Sequence, residues 1–184
     1  LGLSPERKDA VAPGGPQHHR AGVSFGVLAP GAGIRPYLEK AQLTCLHYVW
    51  PLSAPSGAGI EFTAGYARAQ SDDSIPGDVS LALVPFTAMV RYGRPLFGSR
   101  YVPEPVLLAG GGATWLRLSG ESAGRDASRS GFDWTLAAGM GLALDAWGPL
   151  CIQARAMAYY LYEDITVMYW YCGAMIEYRL GIRD

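Results

Sequence analysis

Three histidines, three cysteines, two acidic pairs and a scatter of charges inside apolar stretches are the residues of this chain whose types could do chemistry. His18 and His19 close the segment "LGLSPERKDAVAPGGPQHHR", and His47 lies in "AQLTCLHYVW". A histidine serves as a general base for acyl transfer when a nucleophile lies within hydrogen-bond reach, and as a metal ligand when further His or Cys recur at ligand spacing. His18 and His19 read as part of a solvated segment, and His47 as a packed or interfacial side chain. Cys45, Cys151 and Cys172 are odd in number, widely spaced and without a CxxC. They read as small apolar strand residues, although one register of adjacent strands would allow a Cys151–Cys172 disulfide. Asp72–Asp73 and Glu163–Asp164 carry the oxygens that calcium takes, but acidic pairs between turn residues read as solvated loop tips. No catalytic residue, no metal site and no cofactor is expected.

The charges within apolar stretches are a different matter. Glu61, Arg91, Arg117, Asp133, Asp145, Arg155, Glu177 and Arg179 sit among small or apolar neighbours, and the closing "GAMIEYRLGI" sets Glu177 and Arg179 two apart between Ile176, Tyr178 and Leu180. A spacing of two is the period of a β-strand, whose successive side chains point to opposite faces. The chemistry implied is ion pairing across an interior. What could position it is a sheet.

Composition agrees. At 184 residues the chain fits one domain, and Lys+Arg 15 against Asp+Glu 16 leaves no basic footprint for nucleic acid. No run reaches the roughly 18 to 20 apolar residues of a membrane-spanning helix; the best, "LALVPFTAMV" at 81–90, contains Pro85. Residues 1–20 are rich in Pro, Gly and charge and read as a flexible periplasmic lead-in, with a barrel over 21–184. Turn residues divide the remainder into eight predicted strands, 21–30, 41–50, 59–71, 79–92, 101–118, 132–147, 150–163 and 166–182. Most equal or exceed the roughly 9 to 11 residues with which a tilted strand crosses a bilayer.

Alternation shows what each face meets. In the sixth strand Phe132, Trp134, Leu136, Met140, Leu142 and Leu144 oppose Asp133, Thr135, Gly139, Gly141 and Asp145. A soluble barrel buries its larger face; here the other face is small and polar, as suits the narrow interior that eight strands leave. The second and fifth strands do not divide cleanly, because of Thr44 and His47 in one and Trp115 and Arg117 in the other. An up-and-down count gathers Trp50, Tyr92, Trp147 and Tyr178 at one end of the sheet. It gathers Trp115, Trp134 and Trp170, with Tyr66, Phe132, Tyr160, Tyr162 and Tyr169, at the opposite end. Two aromatic girdles are the mark of two membrane–water interfaces. The expected fold is therefore all-β, an eight-stranded antiparallel up-and-down transmembrane β-barrel. Its longest polar connection is 119–131 and its tightest turn Gly148–Pro149, which puts both termini in the periplasm.

The stretches "VPFTAMVRYG", "VLLAGGGATWLRL", "GFDWTLAAGMGLALD" and "GAMIEYRLGI" resemble the small outer-membrane β-barrel superfamily, that is, the transmembrane domain of the OmpA family with its OmpX- and OmpW-like relatives, over about residues 20–183. Chains of that kind often end on Phe or Trp, whereas this one ends "GIRD". The resemblance implies a bacterial outer-membrane protein in contact with membrane lipids including lipopolysaccharide, with an outer-membrane or periplasmic protein as a further partner. Its role would be structural, anchoring or partner-binding, with Ala154, Ala156 and Ala158 allowing close approach on the outer face. Lipid A-modifying enzymes share this barrel size, but they hold His and Ser together at the outer-leaflet end, where no His is placed here; an enzyme is not expected. The eight charges listed above are expected in the lumen as a salt-bridged plug. The alternatives are a soluble lipocalin-like ligand-binding barrel and a small OmpW-like channel for apolar solutes.

Overall fold

The computed structural model describes residues 18–31, 39–53, 57–71, 79–93, 103–122, 125–147, 149–162 and 167–181. These form eight strands: β1 (His19–Pro30), β2 (Ala41–Ser53), β3 (Ala58–Gln70), β4 (Val79–Gly93), β5 (Glu104–Ser122), β6 (Arg125–Trp147), β7 (Leu150–Tyr162) and β8 (Val167–Leu180). Every strand is antiparallel to its sequence neighbours, and β8 returns to β1 from His19↔Leu180 to Pro30↔Tyr169, so the sheet closes with no free edge. Closure satisfies each strand's backbone within the sheet, which is the condition for placing a strand in lipid.

Across the wall of the barrel the described side chains follow the period of two. In β7, Cys151, Gln153, Arg155, Met157, Tyr159 and Leu161 are buried inside while Leu150, Ile152, Ala154, Ala156 and Tyr162 face out. The same inversion runs round the barrel: Phe25, Leu46, Phe62, Phe86, Leu107, Leu136, Met140 and Ile176 are all exposed outward. Large apolar side chains around a whole circumference, with carboxylates and guanidinia inside, make a transmembrane wall and exclude the lipocalin-like alternative.

Pro85 sits mid-strand in β4, where a missing N–H normally breaks a ladder. Pairing with β5 runs on through Pro85↔Thr114, whereas pairing with β3 lapses between Ala64↔Phe86 and Ala67↔Leu83. The gap faces β3, where Gly65 gives the proline ring room.

Several sequence expectations change. β1 begins at His19, two residues before the expected 21, and the rest of the lead-in, residues 1–17, lies outside the described residues. The connection expected over 119–131 is largely hairpin, since β5 and β6 pair out to Ser122↔Arg125. Beyond the membrane both faces of a hairpin meet water, so the apolar alternation that betrays a strand disappears there while the backbone ladder continues. Strand β5 resolves with Trp115 and Arg117 outward, and β2 with Thr44 outward and His47 inward. Tyr169, expected in the girdle, is buried in the lumen. Cys151 faces in and Cys172 faces out, with all three cysteines free, which excludes a Cys151–Cys172 disulfide because the two project from opposite faces of the wall.

Leu136 lies mid-strand on the outer belt. Leu136→Arg should lower stability by roughly 2–4 kcal/mol, read from reversible urea unfolding in lipid vesicles; an unchanged midpoint would contradict a lipid-facing wall.

Candidate functional site: the lumen network and the outer wall

The half of the lumen nearest the termini is built from charges that four strands deliver by parity. Glu61 projects from β3, Arg91 from β4, Arg155 from β7 and Glu177 from β8, and all four are buried, the two carboxylates with 0% exposure. Arg155 holds Glu61 through two nitrogens at 2.5 and 2.7 Å, a forked arrangement that matches a guanidinium to a carboxylate. Arg91 grips Glu177 with both Nη atoms, one of them at 3.1 Å, and reaches Glu61 at 3.4 Å. Arg155 lies 4.0 Å from Glu177, which closes a ring of two acids and two bases. Arg20 adds a contact to Glu177 at 3.5 Å from the rim. Nearer the mouth Arg179 pairs with Asp145, both half-exposed. A buried charge without a partner costs several kcal/mol, so the ring is the arrangement under which these four residues tolerate the interior together.

One member was not anticipated. His47 lies in the lumen with Ser24 Oγ 2.7 Å from its Nε2, Glu61 2.9 Å and Thr63 3.2 Å from its Nδ1. Gly22 makes the space, since it faces both His47 and Glu177 across its two ladders and a Cβ there would fall 3.2 Å from Glu177 Cγ. The Ser–His–Glu order is that of an acyl-transfer relay. Yet Ser24 and Glu61 are fully buried, and Glu61 is engaged by Arg155, so no reacting carbonyl can come within about 3 Å of the hydroxyl. The arrangement satisfies buried polar groups. The signal in the sequence was parity: in register with Leu46 and Tyr48 outward, His47 has to point in.

The other half of the lumen is apolar. Leu28, Leu43, Leu83, Leu161, Tyr159 and Tyr169 converge on it and leave a cavity of about 20 Å³, room for at most one water and with an apolar lining that offers it little to bond to. Asp133 faces inward beyond this cluster, partly buried. Arg117, expected among the lumen charges, is outside: its neighbours in register are Ala82 and Ser130 on the outer face.

On the outer wall the girdle at the terminal end comprises Trp50, Tyr92 and Tyr178, all outward and exposed. His19 belongs to it and not to a solvated tail, because it stacks on Tyr48 at 5.8 Å, meets Trp50 edge-on at 5.5 Å, and has Nδ1 2.7 Å from the Tyr48 hydroxyl. At the opposite end Trp115, Trp134 and Trp170 face out with Tyr66, Phe132, Tyr160 and Tyr162. The Trp147 side chain and the acidic pairs Asp72–Asp73 and Glu163–Asp164 lie outside the described residues.

No family model matches the sequence. No curated protein matches it either. Solved structures do match in fold. OprG, an outer membrane protein from Pseudomonas aeruginosa, superposes with a TM-score of 0.57 at 13% identity, over 91% of this chain and 99% of that one. Ail, the attachment invasion locus protein of Yersinia pestis, in complex with the heparin analogue sucrose octasulfate, gives 0.55 at 18% identity, over 88% and 100%. The Neisserial surface protein A gives 0.52 at 13%, over 89% and 96%. The chain thus has the fold of the small eight-stranded outer-membrane barrels.

Arg155→Ala or Glu177→Ala should cost about 3–5 kcal/mol, since each leaves an opposite charge buried and unpaired. Arg117→Ala should stay within about 0.5 kcal/mol as an exposed change. Urea unfolding of the three variants in one lipid system checks the contrast; equal effects would refute the inside–outside assignment.

Proposed function

We propose that this protein is an integral barrel of the bacterial outer membrane with both termini in the periplasm, and that it acts as an anchor or partner-binding scaffold instead of a pore or an enzyme. The observation that carries this reading is the double closure of the lumen. The ring of Glu61, Arg155, Glu177 and Arg91 fills the terminal half, and the Leu28, Leu43, Leu83 and Tyr159 cluster fills the other. With the interior spent on its own packing, what this protein offers to other molecules is its outer wall, its hairpins and its lead-in. The extended β5–β6 hairpin supports the orientation, because long connections on this fold face outward from the cell. Ala154 and Ala156, exposed on the wall, suit close approach by another membrane protein. A channel for apolar solutes would require the leucine and tyrosine cluster to part.

Planar-bilayer recording of the purified protein should give no stable conductance. A large, steady conductance would overturn the scaffold reading, and Arg155→Ala, which loosens the ring, should raise leak events above wild type.

A further inference from the structure

On the outside of the wall, at the end away from the termini, three successive rows of the ladder change character. The first row runs Thr44, Tyr66, Val84, Trp115, Phe132, an aromatic girdle. Two residues farther out along each strand, the next row runs Gln42, Arg68, Ala82, Arg117, Ser130. The third, farther still, runs Gln70, Ser80, Ser119, Ser128 and is wholly polar. Along each strand the middle row therefore marks the step at which the wall leaves the aromatic girdle for polar residues, the transition expected near lipid headgroups.

That row holds two arginines on β3 and β5 with Ala82 on the intervening strand. Two strand spacings separate their Cα atoms by roughly 10 Å, and the alanine leaves a notch over which both guanidinia can converge. Both are exposed, and among the described residues no carboxylate pairs with either. Glu39, whose N–H donates to the Gln70 carbonyl at 3.0 Å, lies one row out and makes no ion pair with Arg68. Lys40, exposed just before β2, adds a third cation. Arg91 and Arg155, the buried arginines among the described residues, are each matched to an acid; among those residues Arg68 and Arg117 are not. Just past the aromatic girdle, the partner that the membrane offers them is a lipid headgroup. A guanidinium fork fits phosphate oxygens, and the aromatic row beneath sets the depth at which it meets them.

We propose that Arg68 and Arg117 form a clamp on the outer wall for the phosphate of a membrane lipid. Resting on the orientation proposed above, that lipid is the phosphorylated glycolipid of the outer leaflet. Native mass spectrometry of the detergent-solubilised full chain, titrated with lipid A and with dephosphorylated lipid A, tests it. Wild type should retain phosphorylated lipid A at least about tenfold better than the Arg68→Ala/Arg117→Ala variant, equivalent to about 1.4 kcal/mol. The dephosphorylated form should bind both proteins equally. Arg117→Lys should fall between, as a charge without a fork. Equal retention by wild type and the double variant, with both folded by circular dichroism, would overturn the clamp, as would full competition by inorganic phosphate at the lipid's own concentration. Orientation is read separately: Ser119→Cys in a Cys172→Ala chain should react with a membrane-impermeant maleimide on intact cells. Failure to react would sink the outer-leaflet assignment, while the titration would still decide whether the clamp prefers phosphate.

Discussion

Glu61 and Glu177 have no exposed surface, and the rest of the lumen is arranged around the need to neutralise them. Glu61 is reached by two guanidinia and Glu177 by three, and the three arginines involved come from three different strands. Strands from opposite ends of the sequence, β1, β7 and β8 with β3 and β4, are therefore tied through the barrel's interior by charge as well as round its circumference by backbone. Removing any one partner leaves its opposite number in a place that water cannot reach, which is why such a ring is all or nothing.

The ring also dictates what lies beside it. Small residues have to line the strands where long side chains cross, and they do: Gly22 clears His47 and Glu177, and a Cβ at Gly141 would meet Gln153 Nε2 at 2.5 Å. His47 completes the polar half because its two nitrogens bond Ser24 on one side and Glu61 with Thr63 on the other. Beyond them the lumen turns apolar, where Leu28, Leu43, Leu83, Tyr159, Leu161 and Tyr169 close on a cavity of about 20 Å³. One end of the interior is held by paired charge, the other by packing.

The outer surface answers to a different solvent. Its large apolar side chains need no partner in lipid, and its aromatic rows mark where lipid stops. The exceptions are informative: His19 is held by Tyr48 and Trp50 at one interface, whereas Arg68 and Arg117 at the other pair with no carboxylate among the described residues. A cation's surroundings thus distinguish the two faces, with the buried Arg91 and Arg155 paired to carboxylates and Arg68 and Arg117 exposed on the outer wall.

Much of this was legible in the sequence, because a strand's parity is local. Once Phe132, Trp134 and Leu136 read as one face, Asp133 and Thr135 had to be the other, and the same logic placed Glu61, Arg91, Arg155 and Glu177 in a shared interior. The number of strands, their up-and-down order and the two girdles also follow from turn residues and alternation. Where the local signal is weak, sequence reading stops short. Arg117 and Trp115 share one parity, so a lumen arginine and a girdle tryptophan could not both hold on β5, and only pairing with Ala82 and Phe132 decides that both face out. The hairpin out to Ser122 and Arg125 carries no apolar period to betray it. Which acid meets which base, that Ser24 meets His47, and that Arg68 stands level with Arg117 are matters of register between strands. Register is set by closure of the whole sheet, and no single strand contains it.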